Sequence, residues 1–217
     1  MGLPPANLCD LIFYFYFVVM KLIFATNNQH KIAEIRSAIQ NTPIEIITLE
    51  EAGMDIDIPE PYNTIEENAS NKSKTIYDLT KTDCFSEDTG LEVETLNGEP
   101  GVKSARYAGH EPFDKFRTFD KNIEKLLGKL EGNENRNARF RTVISLIIQG
   151  NENLFEGICT GTITKNKRGE NGFGYDPIFI PEGSIHTFAE MNMEEKNRFS
   201  HRKKALDKLV TYLMRRF

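Results

Sequence analysis

The hydrophobic pattern of the first part of the chain predicts alternating strands and helices. Residues 22–25 are a short apolar run, which is typical of a buried strand. After a polar loop, isoleucines recur at helical spacing and predict a helix over Gln29–Ile39. Residues 44–49 are again apolar and β-branched, so we expect a second strand there.

Similar patterns predict the remaining elements. Thr64 and Glu67 match a capping box, which predicts a helix from this point to about residue 79. In the second half we expect a helix over 113–130, strands over 138–149 and 154–163 joined as a hairpin by a turn at 151–153, and a final helix over 200–214.

The stretch over 84–109 lies between these parts and contains two adjacent acids. A strand predicted over 84–86 ends at Glu87 and Asp88, and a Thr-Gly pair then predicts a turn. The apolar/acidic alternation over 91–96 predicts a half-buried strand. Carboxylates at a strand end are held by the scaffold and remain accessible to a ligand, as in many α/β sites. The alternative is a polar strand end with two solvated acids.

Composition limits the class of protein. The 217 residues are 39% hydrophobic and 27% charged, which allows a sizeable core in one large domain or in two lobes that share a sheet. A formal net charge of −5 makes a nonspecific nucleic-acid binder a poor fit. Cys9, Cys84 and Cys159 lack metal-ligand spacing and indicate reduced thiols in a cytoplasmic protein.

The first nineteen residues do not continue this pattern. Residues 11–20 are an apolar run too short to span a bilayer, which takes roughly 20 apolar residues. No basic residue precedes the run and no small-residue cleavage site follows it, which argues against a secretory signal. Because residues 20–25 look like the start of an α/β protein, we expect 1–19 to be an extension from a misplaced start codon and 20–217 to be a single domain. A membrane-associated tail is the main alternative.

Three kinds of side chain suit three parts of one ligand. Glu60, Glu87 and Asp88 are oxygen ligands suited to a hard cation such as Mg²⁺. Phosphate binders are available at a helix start and on two lysines: residues 26–28, Lys31 and Lys72. A planar base suits an aromatic and polar set: Phe173, Asp176, Lys196, His201 and Arg202. Taken singly, these residues also fit solvated lysines and a glycine turn around a core phenylalanine. A metal, phosphates and a base together make a nucleoside triphosphate.

Five segments of the chain, in this order, match a known family: FATNNQHK (24–31), ENASNKSK (67–74), SEDTGLEVETLNGEPGVKSARYAG (86–109), GFGYDPIF (172–179) and EEKNRFSHRKKAL (194–206). With them the chain resembles the inosine/xanthosine triphosphate pyrophosphatases, which remove non-standard purine nucleotides. The resemblance runs from residue 20 to the C-terminus, and it is the five segments together that make it specific. Residues 1–19 have no counterpart in the family.

This resemblance implies a fold, an activity and an assembly. The fold is α/β, with an elongated mixed β-sheet and flanking helices that form two lobes around a central cleft. The implied activity is Mg²⁺-dependent cleavage of ITP, dITP and XTP to the monophosphate and pyrophosphate. The implied protein is a cytoplasmic homodimer, with no membrane or nucleic-acid partner.

The resemblance also implies roles for individual residues. Asp88 matches the metal-binding acid and proton acceptor, and Glu60 matches a metal-ligand position. Glu87 stands where relatives often have Asp, and we expect it to ligate the metal through a longer arm. The predicted substrate-binding residues are Thr26, Asn27, Asn28, Gln29, His30, Lys31 and Lys72 for the triphosphate, Thr89 as a further contact, and Phe173, Gly174, Tyr175, Asp176, Lys196, Ser200, His201 and Arg202 for the base.

The donor-only cations Lys196 and Arg202 suit the 6-oxo group of hypoxanthine or xanthine. Arg202→Ala is therefore expected to lower the efficiency on ITP more than on ATP. Two other functions fit the same residues. A pyrophosphatase for modified pyrimidines or methylated nucleotides would differ only in its substrate panel. A nucleotide-binding regulator would release no pyrophosphate, and it would have little use for a water-activating acid such as Asp88.

Overall fold

The structure is a computed structural model that describes residues 20–109 and 115–216, with the side chains of 115–117 left out. The predicted extension over residues 1–19 and the predicted start of the third helix at Phe113 lie outside the described residues, so both stay predictions. None of the helices in the described part has the length and apolar character needed to cross a membrane. Cys84 and Cys159, the two described cysteines, are free and buried.

Strands and helices alternate in the first half, as predicted, and a long hairpin dominates the second. The elements are β1 (Met20–Phe24), α1 (Gln29–Ile39), β2 (Ile44–Thr48), α2 (Ile65–Thr80), β3 (Cys84–Val93), β4 (Pro100–Gly101), α3 (Lys115–Lys129), β5 (Asn137–Ile148), β6 (Asn151–Ile163), β7 (Phe179–Pro181), α4 (Met193–Phe199) and α5 (His201–Met214). The helix predicted over Gln29–Ile39 is confirmed at both ends as α1. The last helix, α5, begins one residue after the predicted start because Ser200 is its N-cap.

One mixed sheet carries these strands in the order β2-β1-β3-β5-β6-β7, with β4 pairing to β3. β1 runs parallel to β2 and β3, whereas β3 to β7 pair antiparallel. The edge of β3 that faces β1 is only partly covered: residues 84–85 pair with β1 and residues 91–92 with β4. Between them, residues 86–90 pair on this edge with no described strand. This gap divides the sheet and forms the floor of a cleft.

The core is divided in the same way, which gives the two lobes that were predicted. α1 and α5 cover one face of β1 and the first half of β3, and α2 covers the opposite face. A separate apolar cluster fills the far lobe, where α3 and β7 pack on the distal parts of β3, β5 and β6. The fold is therefore an α/β mixed sheet with flanking helices around a central cleft.

The prediction of a strand end at Glu87 and Asp88 was wrong, because β3 is one continuous strand of ten residues. Both acids lie in its middle and are buried, as is Ser86 before them, whereas Thr89 after them is partly exposed. The local sequence pattern predicts the end of a strand at two adjacent carboxylates. In the structure these carboxylates form ion pairs with cations on α1, α2 and α5, which allows the strand to continue. This burial also excludes the alternative interpretation, a polar strand end with two solvated acids.

Three smaller predictions also need correction. The hairpin turn falls at Gln149 and Gly150, which both have positive φ, and not at 151–153, which belong to β6. Leu96 lies in a 3-10 turn and not in a strand. At the start of α2, Thr64 accepts from the Glu67 N–H as predicted, but the Glu67 carboxylate accepts from the Thr64 hydroxyl and so forms only half of a capping box.

Candidate active site

A cavity of about 420 Å³ opens at the gap in the sheet. It receives side chains from the β1–α1 loop, α2, β3, the 172–176 loop, α4 and α5. Most of the predicted site residues line it: Thr26, Asn27, Asn28, Lys31, Glu60, Lys72, Asp88, Thr89, Phe173, Gly174, Tyr175, Asp176, Lys196, His201 and Arg202. Residues that are more than 170 positions apart in sequence therefore converge on one cleft.

Four predicted site residues do not line the cavity. Gln29 is exposed at the start of α1, and His30 beside it stacks its ring on Phe173, with centroids 5.0 Å apart. Ser200 is buried and caps α5 by accepting from the Lys203 N–H, so its role is to hold the helix start. Glu87 lies on the other face of β3 from Asp88.

The loop between β1 and α1 is pre-formed by its own polar side chains. Thr26 Oγ1 accepts from the Asn28 N–H at 3.2 Å, and Asn27 donates to the Ile56 carbonyl at 2.7 Å. Asn28 caps α1 by accepting from the N–H groups of His30 and Lys31. These bonds occupy N–H groups at the start of α1 that would otherwise be available to an anion.

Asp88 lies opposite this loop, at the gap in the sheet, with Lys72 and Glu60. The Lys72 ammonium is 2.5 Å from Glu60 Oε1 and 3.6 Å from Asp88 Oδ1. Burial raises the pKa of Asp88 even though Lys72 and Lys31 oppose the shift. Burial also acts to lower the pKa of Lys72, but the charges of Asp88 and Glu60 outweigh it and raise that pKa.

A divalent cation fits this acidic end of the cavity. Asp88 Oδ2 is buried and has no hydrogen-bond partner among the described residues, so one strong oxygen acceptor is left for another ligand. Glu60 and Asp88 already converge on one cation, the ammonium of Lys72. Within the described chain no group of three or more acids, histidines or cysteines is clustered for a metal. Mg²⁺ is commonly bound by only one or two carboxylates together with substrate phosphates, so Glu60 and Asp88 suffice.

Glu87 is not beside the other two predicted metal ligands. Successive side chains of a strand point to opposite faces, and Glu87 therefore faces α1 and α5. Its carboxylate accepts from Arg202 Nε at 2.8 Å and lies 3.2 Å from the Lys31 ammonium. Burial alone would raise the pKa of Glu87, but Arg202 and Lys31 together lower it to about 2. In this geometry Glu87 serves as the buried counter-ion of two site cations.

The residues predicted to bind the base come together around Phe173. The Phe173 N–H donates to Asp176 Oδ2 at 2.8 Å, which closes the loop. The Lys196 ammonium lies 5.4 Å from the centre of the Phe173 ring, and the Arg202 guanidinium carbon lies 5.8 Å from it. An aromatic face with two buried cations beside it is suited to a flat, polar ligand.

A carboxylate that sequence reasoning missed holds these cations. Glu34 of α1 accepts from Lys196 at 2.7 Å and also from Arg202 Nη1, and all three side chains are buried. Lys196 donates to Asp176 as well, at 2.6 Å. Burial would raise the pKa of Glu34, but Arg202 and Lys196 keep it below its ordinary value. The one available signal was the position of Glu34, three residues after Lys31 on the same helix face.

Arg106 is a second cavity residue that was not predicted, although it lies within a matching segment. Its guanidinium lines the cavity and donates to Glu60, at 3.3 Å to Oε2 and 3.1 Å to the carbonyl. Glu60 is thus held by both Lys72 and Arg106, and Lys72, Lys31 and Arg106 keep its pKa below its ordinary value although burial acts to raise it. Arg106 adds a positive charge to the cavity beside Glu60.

We expect Gly172→Ala to disrupt the Phe173 loop. Gly172 has φ +75°, and an added Cβ would lie 2.1 Å from Asp176 Oδ2, the atom that also binds Phe173 and Lys196. The strain of a positive φ alone is about 1–2 kcal/mol, and the clash adds to it. Gly174→Ala is a matched control, because Gly174 has φ +62° but open space around its Cβ position. Thermal unfolding should show a larger loss for Gly172→Ala, and equal losses would contradict the argument.

Fold and site together define an α/β protein with a cleft between two lobes whose lining suits a phosphorylated, planar ligand. Residues 22–212 match the family model of the Ham1 family. This chain belongs to the Ham1 family.

Relatives and solved structures agree with this membership. The chain is 50% identical over 193 residues to a protein of Flavobacterium psychrophilum named dITP/XTP pyrophosphatase, covering 89% of this chain and 98% of the relative. The structure of the Staphylococcus aureus Ham1 protein aligns with a TM-score of 0.79 at 38% identity, covering 91% of this chain and 100% of that one. A HAM1 protein from Coxiella burnetii aligns with a TM-score of 0.80 at 34% identity, covering 90% and 99%.

Proposed function

We propose that this protein hydrolyses non-standard purine nucleoside triphosphates, namely ITP, dITP and XTP, to the monophosphate and pyrophosphate. The observation that carries the proposal is one cavity that joins two different ends. One end holds a buried acid among cations, Asp88 with Lys72, and the other holds buried donors beside an aromatic ring, Lys196 and Arg202 with Phe173. The dITP/XTP pyrophosphatase name of a relative that is 50% identical supports the same substrate class.

Asp88 is the proposed general base. Its Oδ2 atom is buried with no hydrogen-bond partner among the described residues, and burial raises its pKa, which makes the carboxylate a better acceptor for a proton from water. That water attacks the α-phosphorus, and the proton passes to Asp88. Lys31, Lys72 and Arg106 bind the triphosphate and stabilise the negative charge that develops on the pyrophosphate leaving group.

The proposed cofactor is Mg²⁺, held by Glu60 and Asp88. Bound there, the ion would neutralise phosphate oxygens and lower the cost of charge on the leaving group. In the structure the Lys72 ammonium is the cation between these two carboxylates. With Mg²⁺ held there instead, that ammonium would become free to bind the phosphates. We keep Glu87 out of the ligand set because Arg202 and Lys31 already hold its carboxylate.

The base-recognition proposal follows from the donors left over at the far end of the cavity. An ammonium has three N–H donors, and Lys196 uses two of them on Glu34 and Asp176. Arg202 likewise retains N–H groups beyond those bound to Glu34, Glu87 and Thr89. The remaining donors suit a 6-oxo group of hypoxanthine or xanthine, whereas the 6-amino group of adenine would place donor against donor.

The experiment that tests the function is pyrophosphate release. With Mg²⁺ present, dITP, ITP and XTP should be cleaved to monophosphate and pyrophosphate much faster than ATP and GTP. Modified pyrimidine and methylated nucleotides belong in the same panel, because the rival pyrophosphatase function predicts turnover there instead. Tight ITP binding without any pyrophosphate release would point to a regulator.

We expect Phe173→Ala to weaken ITP, GTP and ATP to a similar extent. A ring stacks on any base, so it contributes affinity without selecting among purines, and loss of one stacking contact costs about 1–3 kcal/mol. Phe173→Tyr retains the ring and serves as the control. Steady-state kinetics on the three nucleotides measure the effect. A loss confined to ITP would show that Phe173 reads the base rather than stacking on it.

Two further proposals rest on family resemblance. We propose a homodimer, which sedimentation of the full chain would test. We also propose that the protein works in the cytoplasm, where nucleoside triphosphates are made and used, and fractionation of the source cells would test that location.

A further inference from the structure

Hydroxyl groups link Arg202 to His201 across the sheet, through a threonine that the sequence did not single out. Arg202 Nη2 donates to Thr89 Oγ1 at 3.4 Å. Thr89 Oγ1 lies 2.6 Å from Thr142 Oγ1, which is the residue opposite it on β5. Thr142 Oγ1 in turn lies 2.6 Å from His201 Nδ1. Thr142 and His201 are both buried.

The direction of these hydrogen bonds is set at the Arg202 end, because a guanidinium only donates. If Thr89 accepts from Arg202, its own proton is satisfied by donation to Thr142. Thr142 then donates its proton to His201 Nδ1, and every proton of the chain has an acceptor. In the reverse direction Thr89 would accept twice, and its proton would have no acceptor among the described residues.

His201 lies at the other end of this chain of hydroxyl groups. Its ring lines the cavity and stacks on Phe140, with centroids 4.8 Å apart. Burial, reinforced by Arg202 and Lys196, keeps the pKa of His201 well below its ordinary value, so the imidazole is neutral and has one N–H. Nδ1 is bound to Thr142, while Nε2 has no hydrogen-bond partner among the described residues.

We propose that Thr89 and Thr142 fix the tautomer of His201, so that its Nε2–H faces the cavity as a donor to an oxo group of the purine base. Thr142 is thus a positioning residue for base selection, acting through His201. Unlike Lys196 and Arg202, a neutral imidazole could read either a donor or an acceptor, and the hydroxyl chain removes that choice. The tautomer itself follows from the hydrogen-bond geometry and the burial of His201, but its role in selecting the base rests on the proposed function.

The tautomer can be measured without activity. In the full chain with ¹⁵N-labelled histidines, long-range ¹H–¹⁵N correlation spectra distinguish a protonated from an unprotonated ring nitrogen, and His201→Gln identifies the His201 signals. The wild-type protein should show protonated Nε2 and unprotonated Nδ1. Thr142→Val removes the hydroxyl at nearly constant volume and should give a mixture of tautomers, whereas Thr142→Ser should retain the wild-type pattern.

A second variant covers the case in which Thr142→Val does not fold. Thr142→Ala also removes the hydroxyl, with a smaller side chain in its place, and should likewise mix the tautomers. A wild-type ring protonated at Nδ1, or an unchanged Nε2–H ring in every folded variant that lacks the Thr142 hydroxyl, would overturn the proposal.

Kinetics then test the link to the substrate. Losing one oriented donor should lower kcat/KM for ITP by about tenfold in Thr142→Val, with little change for ATP. The serine variant should stay within about twofold of wild type. An equal loss on ITP and ATP would overturn the selective role. If wild-type protein does not cleave ITP at all, the proposed function fails, and the spectra still decide the tautomer.

Discussion

Asp88→Asn should fold, bind nucleotide and lose most turnover, by about 10²–10⁴-fold, the usual effect of removing a positioned general base. The surroundings of Asp88 in the structure explain why we expect this loss of turnover. Asp88 Oδ2 is buried without a described partner, and the neighbouring oxygen faces Lys72 at 3.6 Å. An amide has nearly the same shape but cannot accept the proton of the attacking water. Single-turnover pyrophosphate release from ITP, beside equilibrium binding of ITP, separates the lost step from lost binding.

A carboxylate on the same strand provides the control for this variant. Glu92 lies four residues further along β3, where its side chain accepts from Arg139 at 2.6 Å outside the cavity. Glu92→Gln removes one negative charge of β3 without touching the site, so turnover should stay close to wild type. If Asp88→Asn keeps near-normal turnover, Asp88 is not the base. If Glu92→Gln loses as much as Asp88→Asn, the effect belongs to the strand and not to the acid.

The elements with a clean periodic pattern could be predicted from the sequence. α1 was predicted at its observed bounds because its isoleucines recur along one face after a polar loop. α5 followed from an apolar stripe after Ser200. The family of the chain and most of the cavity residues followed from five short segments, whose side chains meet only in the folded protein.

What failed was the placement of buried charge. Glu87 and Asp88 were read as a strand end because a pair of acids in a strand core is unfavourable unless it is paired. The partners are Arg202, Lys31 and Lys72, and the nearest of these lies more than ten residues away in sequence. Local pattern carries no information on such pairs, and for the same reason it assigned Glu87 to the metal with Asp88.

The buried ion pairs of Arg202 change the result that is expected for Arg202→Ala. The sequence suggests a selectivity variant with an intact fold. In the structure Arg202 is buried and neutralises two buried carboxylates, Glu34 and Glu87. Breaking buried ion pairs by removing one partner costs about 3–5 kcal/mol, because charge is left uncompensated. We therefore expect Arg202→Ala to lower the free energy of unfolding by about this amount at pH 7, measured by urea denaturation.

The pH dependence gives this loss a specific signature. In the wild-type protein the pKa of Glu87 is about 2, below its ordinary value of 4.5, so its contribution to stability is present above pH 4.5 and is lost as pH falls towards 2. Without Arg202, Lys31 remains beside Glu87 and Lys196 beside Glu34, but one of the two cations that lower each pKa is gone, so burial moves both pKa values up relative to the wild-type protein. The variant then protonates these carboxylates at a higher pH than the wild-type protein does, and it loses less stability as pH falls. The difference in stability between wild type and variant should shrink from pH 7 to about pH 4.

Arg198→Ala is the matched control on the preceding helix. Arg198 is exposed and lies 3.5 Å from Glu194, which is also exposed, so its removal should leave stability unchanged within error at both pH values. A loss for Arg202→Ala that is as small as that of Arg198→Ala would contradict the buried network. A large loss that does not shrink at low pH would assign Arg202 to packing rather than to charge. The ratio of ITP to ATP efficiency is informative only once the folded fraction of Arg202→Ala has been measured, because unfolding lowers turnover of both nucleotides by the same factor.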